Sequence, residues 1–229
     1  MSDCDNKRLT LVSLGRMKFK PVWDIQKRLI DLRYENKIPD CLIVCEHEPV
    51  ITMGRGTDKG NLLVSKESLQ KKGVDIFEIE RGGDITFHGP GQIILYPIVN
   101  LQYREKDTHK YLRDLESVVI DALSKINLKA GIKKGLTGIW VDDHKIGAIG
   151  VAVSKWITYH GMALNVNTDL DYFKLINPCG ITEYPVGSIS GLLNNNINLK
   201  QVSEFLVDSF VKHFSYDDLI NQNINELIP

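Results

Sequence analysis

The sequence has little of several features that would assign it to a specialised class of protein. Cysteine occurs four times in 229 residues, and 28 Lys and Arg nearly balance 29 Asp and Glu, which leaves a formal net charge of −1. Near-neutral charge argues against a nucleic-acid binder that works through bulk electrostatics. No apolar run approaches the roughly 18 residues that span a membrane. Apolar residues make up 43% of the chain and recur along its whole length, which excludes disorder as the main state and indicates a soluble globular protein.

The N-terminus also lacks a targeting pattern, because its first residues, M-S-D-C-D, mix acids with polar side chains. We therefore expect a cytoplasmic protein, in which Cys4, Cys41, Cys45 and Cys179 stay reduced. Cys41, Cys45 and His47 have the spacing C-x3-C-x-H, but a fourth ligand is missing, so no metal site is expected. The apolar run over 41–45 indicates a buried strand instead.

Hydrophobic periodicity predicts an α+β (mixed α/β) fold in which a mixed sheet is flanked by helices. Helices are predicted after Pro21, from Ser65, over 108–126 and over 202–214. Strands are predicted over 9–14, 41–45, 50–54, 74–80 and 93–99, the last one interrupted by Pro97. Segments 137–141, 145–153 and 157–166 are joined by short turns, which favours an antiparallel meander. No linker is long enough to split the chain, so we expect one domain over 1–229, with 192–229 as its C-terminal helical extension.

The densest functional signal is the glycine-rich segment over residues 81–92, which we predict to be a loop. Its paired glycines let the backbone approach a ligand closely or adopt positive φ. Arg81 and His88 add polar side chains, although a hairpin with a solvated arginine and a packed histidine would give the same pattern. The segment has no G-K-[ST] and no G-x-G-x-x-G before a helix, so it is neither a phosphate-binding P-loop nor a dinucleotide fingerprint.

Five motifs, in the same order along the chain, resemble those of the lipoyl(octanoyl) transferase family. Residues 81–97 read R-G-G-x-x-T-F-H-G-P-G-Q-x-x-x-Y-P, which closely resembles the family signature, with Phe87 where Tyr or Trp is common. The others are E-H-x-P-V-x-T-x-G over 46–54, G-x-W with K-I-G-A-I-G over 138–150, H-G-x-A-L-N over 160–165 and P-C-G over 178–180. The resemblance covers about residues 10–190 and fades beyond Gly191.

The resemblance implies a transfer reaction on the fold of the biotin and lipoate ligase catalytic domains. Members of this family move an octanoyl or lipoyl group from acyl carrier protein to one lysine of a lipoyl domain, through a cysteine thioester. The implied acceptors are the E2 subunits of 2-oxoacid dehydrogenases and the glycine cleavage H protein. No cofactor and no ATP are implied, because the incoming thioester is already activated. No nucleic acid or membrane partner is expected.

The resemblance assigns the catalytic roles to Cys179 and Lys145. A free thiol with a pKa of about 8.5 is only a few per cent thiolate at neutral pH, so a nucleophilic cysteine needs a cation or a base beside it. Taken alone, Cys179 would more often be a small buried residue, and Lys145 a solvated turn lysine beside Asp142 and Asp143. If the two side chains lie together, the ammonium favours the thiolate and burial weakens the ammonium, so that they share one proton.

A larger set of residues is implied to line the substrate site, with core packing as the competing explanation for the apolar ones. We expect His88 and His160 to line the site and not to act as acid or base. Backbone N–H groups around Gly150, Gly161 or Cys179 are all candidates for stabilising the oxyanion. The full set of predicted substrate-binding residues is Arg81, Gly82, Gly83, Asp84, Ile85, Thr86, Phe87, His88, Tyr96, Ala148, Ile149, Gly150, His160, Gly161, Met162 and Ala163.

Two other functions fit the same sequence. The first is an ATP-dependent lipoate- or biotin-protein ligase on the same fold, which would need a basic phosphate-binding run such as G-R-G-R-R-G and would not need Cys179. Neither Arg55-Gly56-Thr57 nor the start of the glycine-rich segment supplies that run. The second is a non-catalytic protein that binds acyl carrier protein or lipoyl domains. Since these partners are acidic in the family, a local basic patch is expected from Arg55, Lys59, Lys133 and Lys134.

Overall fold

The structure, a computed structural model, describes residues 7–178 and 183–228 of the chain. In chain order, its helices and strands are β1 (Arg8–Met17), α1 (Phe19–Tyr34), β2 (Asp40–His47), β3 (Val50–Met53), α2 (Lys66–Lys71), β4 (Asp75–Glu78), β5 (Ile85–His88), β6 (Gln92–Ile98), α3 (Thr108–Ser124), β7 (Gly131–Lys133), β8 (Leu136–Val141), β9 (His144–Ser154), β10 (Ile157–Asn165), α4 (Ile189–Leu193), α5 (Leu199–His213), β11 (Asp218–Asn221) and α6 (Ile224–Leu227). Short 3₁₀ helices span Lys59–Asn61, Leu101–Tyr103 and Leu170–Leu175.

In this part of the chain, eight strands form one mixed sheet in the order β11-β1-β2-β6-β10-β9-β8-β7. Strand β1 pairs in parallel with β11 and β2, and every later pair is antiparallel. The predicted β8–β9–β10 meander is confirmed. A smaller sheet, in the order β4-β3-β5, lies beside the large one.

Helices cover both faces of the large sheet, which confirms the predicted fold class. Strand β6 illustrates why, because neighbouring side chains of a strand point to opposite faces. Ile93 and Leu95 pack into a core with α3 and α5, whereas Ile94 and Tyr96 pack into a second core with α1. A third core lies between the small sheet and the Leu170–Leu175 turn. Among the described residues, no helix combines the length and the apolar character needed to cross a bilayer.

Two predictions around the glycine-rich segment were wrong. Residues 85–88 form strand β5, not loop, because β3 offers an unpaired edge with which they pair in antiparallel fashion. Pro97 does not interrupt β6 but pairs with Leu42 inside the strand. The Pro97 carbonyl oxygen accepts a hydrogen bond of 2.7 Å from the Thr158 hydroxyl on β10, so the proline nitrogen also faces β10. The pairing of β6 with β10 ends at Leu95, before Pro97, so the N–H that Pro97 lacks costs no hydrogen bond within the sheet.

The C-terminal segment contains more than the predicted helices. Helix α5 packs into the core that α3 forms against the sheet. Strand β11 then adds a parallel edge to β1, with Leu9 opposite Leu219. Its four residues are too few to show a clear alternation in sequence, and its pairing with the first strand of the chain is not local.

A buried carboxylate ties these remote segments together. Asp40, at the start of β2, accepts hydrogen bonds from Arg33 Nε at 2.7 Å and from the Asn100 amide at 3.0 Å. Its other oxygen accepts a hydrogen bond of 2.8 Å from the Tyr216 hydroxyl, and Arg104 lies 3.8 Å away. Asp40 thus joins the end of α1, the connection after β6 and the chain that enters β11.

We expect Asp40→Ala to lower the free energy of unfolding by about 3–5 kcal/mol, because it removes the carboxylate that balances the charge of the buried Arg33 guanidinium. Urea denaturation followed by tryptophan fluorescence measures this change. Asp218→Ala is the matched control, since its ion pair with Arg8 is exposed and should contribute less than about 1 kcal/mol. Equal losses in the two variants would contradict the role of Asp40.

Candidate active site

A cavity of about 390 Å³ lies between the glycine-rich segment and the middle of β9 and β10. Most of the predicted substrate-binding residues surround it. Those that line it are Arg81, Gly83, Asp84, Thr86, His88, Tyr96, Ala148, Ile149, Gly150, His160, Gly161, Met162 and Ala163, together with Lys145. Its volume is in the range of pockets that hold small organic ligands.

Three of the predicted lining residues do not face the cavity. Along β5, alternation turns Thr86 and His88 toward the cavity and Ile85 and Phe87 away from it. Phe87 stacks on Tyr172, with ring centroids 4.6 Å apart, and is therefore a core residue of the small sheet. Gly82 does not line the cavity either, and its backbone N–H donates a hydrogen bond of 2.8 Å to the Val151 carbonyl oxygen.

Glycines let the backbone of the glycine-rich segment approach both the end of β3 in the small sheet and β9 in the large sheet. A Cβ atom at Gly54 would overlap the Gly83 carbonyl oxygen and lie 2.9 Å from Arg81 Nη1. A Cβ atom at Gly150 would lie 3.0 Å from the Gly82 carbonyl oxygen. The approach of the segment to the end of β3 therefore requires a residue without a side chain at position 54, and its approach to β9 is close enough to favour glycine at position 150.

The Arg81 side chain anchors the glycine-rich segment to β3 through hydrogen bonds. Its guanidinium donates hydrogen bonds to the Thr52 carbonyl at 2.7 Å, to the Thr52 hydroxyl at 3.0 Å and to the Gly82 carbonyl at 3.0 Å. The solvated arginine considered from the sequence is therefore not what the structure contains, because Arg81 is buried. It fixes the backbone that lines the cavity.

His88 belongs to a buried polar chain below the cavity. Its Nδ1 donates to Gln92 Oε1 at 2.8 Å, and Gln92 Nε2 donates to Asn165 Oδ1 at 2.8 Å. Asn165 Nδ2 in turn donates to the Gly187 carbonyl at 3.0 Å. On the other side, His88 Nε2 lies 3.3 Å from the Thr52 hydroxyl. The chain links β3, β5, β6 and β10 and fixes the orientation of the His88 ring.

The remaining histidines around the cavity are also buried and neutral. Burial lowers the pKa of His88 to about 3, with His47 as a further cause, and lowers that of His160 to about 3. Burial likewise lowers the pKa of His47 to about 4. His47 Nε2 lies 2.8 Å from the Tyr96 hydroxyl, and burial raises the pKa of that phenol well above its usual value. His88 and His160 thus line the site, and neither is placed to exchange protons near neutral pH.

Lys145 lies at one end of the cavity. It is 9% exposed, its Nζ is 5.7 Å from the centre of the Trp140 ring, and its backbone pairs with Pro185 and Gly187. A small side cavity of about 20 Å³ is lined by both Lys145 and Pro178. Cys179, which follows Pro178 in the chain, lies outside the described residues, as does Cys4.

Several lining residues were missed in the sequence. They are Phe19, Gly56, Ile79, Gly135, Leu136 and Thr137. Phe19 and Ile79 look like ordinary core positions in the sequence. The packing of α1 on β10 brings Phe19 to the cavity, and the pairing of Ile79 with Met53 at the end of β3 brings Ile79 there. No site residue is predicted within the motif over 46–54, although this motif contains His47 and Thr52, which contact the lining residues Tyr96 and His88.

The loose cysteine–histidine cluster forms no ligand set. Cys45 Sγ lies 3.9 Å from His47 Nε2, and burial raises the pKa of both Cys41 and Cys45 far above the usual thiol value. Over residues 7–178 and 183–228, no group of three or more His, Cys, Asp or Glu side chains is placed to hold a metal ion.

Known proteins resemble this chain in both sequence and fold. A family model described as the lipoyl protein ligase A/B catalytic domain matches residues 19–211. An octanoyltransferase of Rubrobacter xylanophilus is 47% identical over 198 residues, which cover 86% of this chain and 89% of that protein. An octanoyltransferase of Clostridium kluyveri is 41% identical over 204 residues, which cover 89% of this chain and 87% of that protein.

Solved structures confirm the kind of fold expected from the sequence. Lipoate-protein ligase A bound with ATP has a TM-score of 0.75 at 18% identity, covering 96% of this chain and 93% of that one. Biotin protein ligase from Aquifex aeolicus in complex with biotin and ATP has a TM-score of 0.55 at 13% identity, and the match covers 90% of this chain and 70% of that one. At such identities the likeness establishes a shared architecture.

We expect Gly54→Ala to destabilise the protein by about 1–3 kcal/mol, because the new methyl group must displace the Gly83 backbone. The melting temperature should fall by about 2–4 °C for each kcal/mol in a chain of this size. Gly131→Ala is the control, since a Cβ atom there meets nothing within 4 Å. An unchanged melting temperature for Gly54→Ala would mean that the backbone of Gly83 is not held this closely against the end of β3.

The three buried histidines predict acid sensitivity. Unfolded histidine binds a proton below a pKa of about 6.5, whereas His47, His88 and His160 stay neutral in the fold down to about 4, 3 and 3. The unfolded state therefore takes up more protons, and the free energy of unfolding falls as the pH drops below about 6.5, by up to about 1.4 kcal/mol per pH unit for each histidine. Urea denaturation between about pH 7 and pH 5 measures this slope.

His88→Gln should reduce that slope by about one third, since one of three such groups is removed. His109→Gln, at an exposed position, should leave it unchanged. A slope that is the same in the wild type and His88→Gln would show that His88 is protonated in the folded protein.

Proposed function

Because this chain belongs to the lipoyl protein ligase A/B catalytic domain family, we propose that it is an octanoyltransferase. It takes an octanoyl or lipoyl group from acyl carrier protein and attaches it to a specific lysine of lipoyl domains, by way of a thioester on Cys179. Residues 1–229 act as one catalytic domain that includes the extension over 192–229. The enzyme works in the cytoplasm, where a nucleophilic thiol stays reduced.

The observation that carries this proposal is the position of Lys145 at the end of a cavity suited to an acyl chain. The part of β9 that lines the cavity extends from Lys145 to Gly150, which is at most about 17 Å at roughly 3.3 Å per residue. Seven carbon–carbon bonds of about 1.52 Å add up to less than about 11 Å, so an eight-carbon chain fits within this length. Pro178, the residue before Cys179, lies beside Lys145 in the side cavity.

In the first half-reaction, the Cys179 thiolate attacks the carbonyl carbon of the octanoyl thioester on the carrier protein. A carbon–sulfur bond to Cys179 forms, and the bond to the carrier's pantetheine sulfur breaks. Lys145 holds the proton that Cys179 gave up and returns it to the departing thiolate. Backbone N–H groups near Gly150 or Gly161, which face each other across β9 and β10, are candidates for stabilising the oxyanion.

In the second half-reaction, the ε-amine of the acceptor lysine attacks the Cys179 thioester. A carbon–nitrogen bond forms, the carbon–sulfur bond breaks, and the proton lost by the amine passes by way of Lys145 to the released sulfur. An amide replaces a thioester, so the step runs downhill. The buried, neutral histidines exclude water from the acyl chain without competing for the proton.

Basic side chains stand on two sides of the cavity entrance. Arg55 is exposed next to Gly56, and Lys134 is exposed next to Gly135, and both glycines line the cavity. Lys133 instead pairs with Asp143 at 2.5 Å. Arg55 and Lys134 are therefore the stronger candidates for contacts with an acidic carrier or lipoyl domain.

We expect incubation with octanoyl-acyl carrier protein, without ATP, to add one octanoyl mass to the wild type and none to Cys179→Ala, as measured by intact-protein mass spectrometry. Subsequent addition of a lipoyl domain should move that mass to the domain. Cys41→Ala is the control, because its buried thiol should not carry the group.

Two outcomes would support the other candidate functions. A Cys179→Ala variant that octanoylates the lipoyl domain at the wild-type rate, and only with ATP and free octanoate, would identify a ligase. A wild type that binds either partner but never holds or transfers an acyl group would identify a non-catalytic binding protein.

A further inference from the structure

Strand β9 contains a bulge next to Lys145. Ile139 of β8 pairs with Gly147 and Trp140 pairs with Lys145, so that Ile146 is left without an opposite residue. Ile146 packs into the core of α3 and α5, and Ile149 packs against the same core. Residues three apart on a regular strand would point to opposite faces, so the extra residue reverses the alternation between them.

The bulge decides which way Lys145 points. Without it, Lys145 would share the face of Ile149 and Val151, which pack toward the helices. With it, Lys145 lies on the other face, where Ala148 and Gly150 also line the cavity. Bulges commonly re-aim a side chain beside an active site in this way.

Gly138 on β8 leaves space for the side chain of Lys145. Its φ is +139°, a conformation that only glycine adopts readily. A Cβ atom there would lie 2.7 Å from Lys145 Cε and 2.7 Å from the Gly147 carbonyl oxygen. The methylene groups of Lys145 therefore pass directly over the Gly138 backbone.

A buried glutamate holds that backbone. Glu116, on α3, is 1% exposed, and its Oε1 accepts a hydrogen bond of 3.0 Å from the Gly138 amide. Its Oε2 accepts a hydrogen bond of 2.5 Å from Arg113 Nη1. A carboxylate in a core is costly unless it is paired, and an apolar residue would otherwise be preferred at this position of α3. Arg113 balances the charge of Glu116, and the other carboxylate oxygen accepts the hydrogen bond from the Gly138 amide at the bulge that aims Lys145.

We propose that Glu116 is a positioning residue that acts through Gly138 to fix the bulge and to hold Lys145 in the cavity. This role rests on the proposed function of Lys145 beside Cys179. Other ionisable groups surround Lys145 as well, and the test must separate their effects from that of Glu116. They are Arg81, Asp84, His88, Tyr96 and His160 around the cavity, and Lys133 beyond Trp140.

The test compares wild type, Lys145→Ala, Glu116→Ala, Glu116→Gln and Ser117→Ala, a neighbour on the exposed side of α3. The rate of Cys179 alkylation by iodoacetamide is followed against pH by peptide mass spectrometry, and acylation by octanoyl-acyl carrier protein is followed in parallel. The melting temperature of each variant shows whether the protein is folded at the temperature of these assays.

We expect Glu116→Ala to move the midpoint of the alkylation profile upward by about one pH unit, a tenfold loss of thiolate, in the direction of Lys145→Ala. Its acylation rate near neutral pH should fall about tenfold. Glu116→Gln keeps an acceptor for the Gly138 amide and should stay within about threefold of the wild type, as should Ser117→Ala.

The outcomes separate this role from the proposed function. If Lys145→Ala shifts the profile and Glu116→Ala lowers only the melting temperature, Glu116 is merely structural and the inference is overturned. If Glu116→Gln behaves like Glu116→Ala, the charge and not the hydrogen bond matters, which also overturns it. If Lys145→Ala matches the wild type, the pairing of Lys145 with Cys179 fails, and the positioning role fails with it.

Discussion

The contact on which the rest of this structure depends is the approach of the glycine-rich segment to two strands at once. Gly54, directly after β3, and Gly150 on β9 leave room for the backbone of Gly83 and Gly82, and Arg81 binds that backbone to Thr52 from within. The contact at Gly54 leaves no room for a side chain and the contact at Gly150 leaves little, so the segment packs closely on both strands and brings the small sheet beside the large one. The space left between them is the cavity. Backbone contacts therefore fix the position of the segment that forms one wall of the cavity.

The chemistry proposed for the site follows from this rigid frame. The His88–Gln92–Asn165 chain is buried, and the hydrogen bonds within it satisfy its polar groups, so it can hold strands together without offering protons. That leaves Lys145 as the cavity residue proposed to share a proton with Cys179. The fold is shared with a lipoate-protein ligase A that was solved bound with ATP, so the fold by itself does not decide the reaction.

Periodicity predicted much of this fold, and it failed where partners are remote. The β8–β9–β10 meander and helix α3 have strong local patterns, and both are observed. Strand β5 was assigned to a loop because glycines flank it, and its pairing with β3 arises only when the chain folds back. Pro97 was expected to break β6, but whether a missing N–H matters depends on which neighbour it faces. Strand β11 pairs with a strand about 200 residues away in sequence, and four residues carry no signal of that pairing.

The sequence alone determined the family resemblance, the fold class and the residue types for the proposed acyl transfer, since these depend on motifs and on local hydrophobic spacing. The tertiary structure decided where the side chains point. Alternation in β5 turned His88 toward the cavity and Phe87 away from it. A one-residue bulge turned Lys145 to the cavity side, and the partner of Gly138 at that bulge is Glu116, 22 residues earlier on a helix. Such directions depend on pairing register and on packing between distant elements, which no local pattern in the chain encodes.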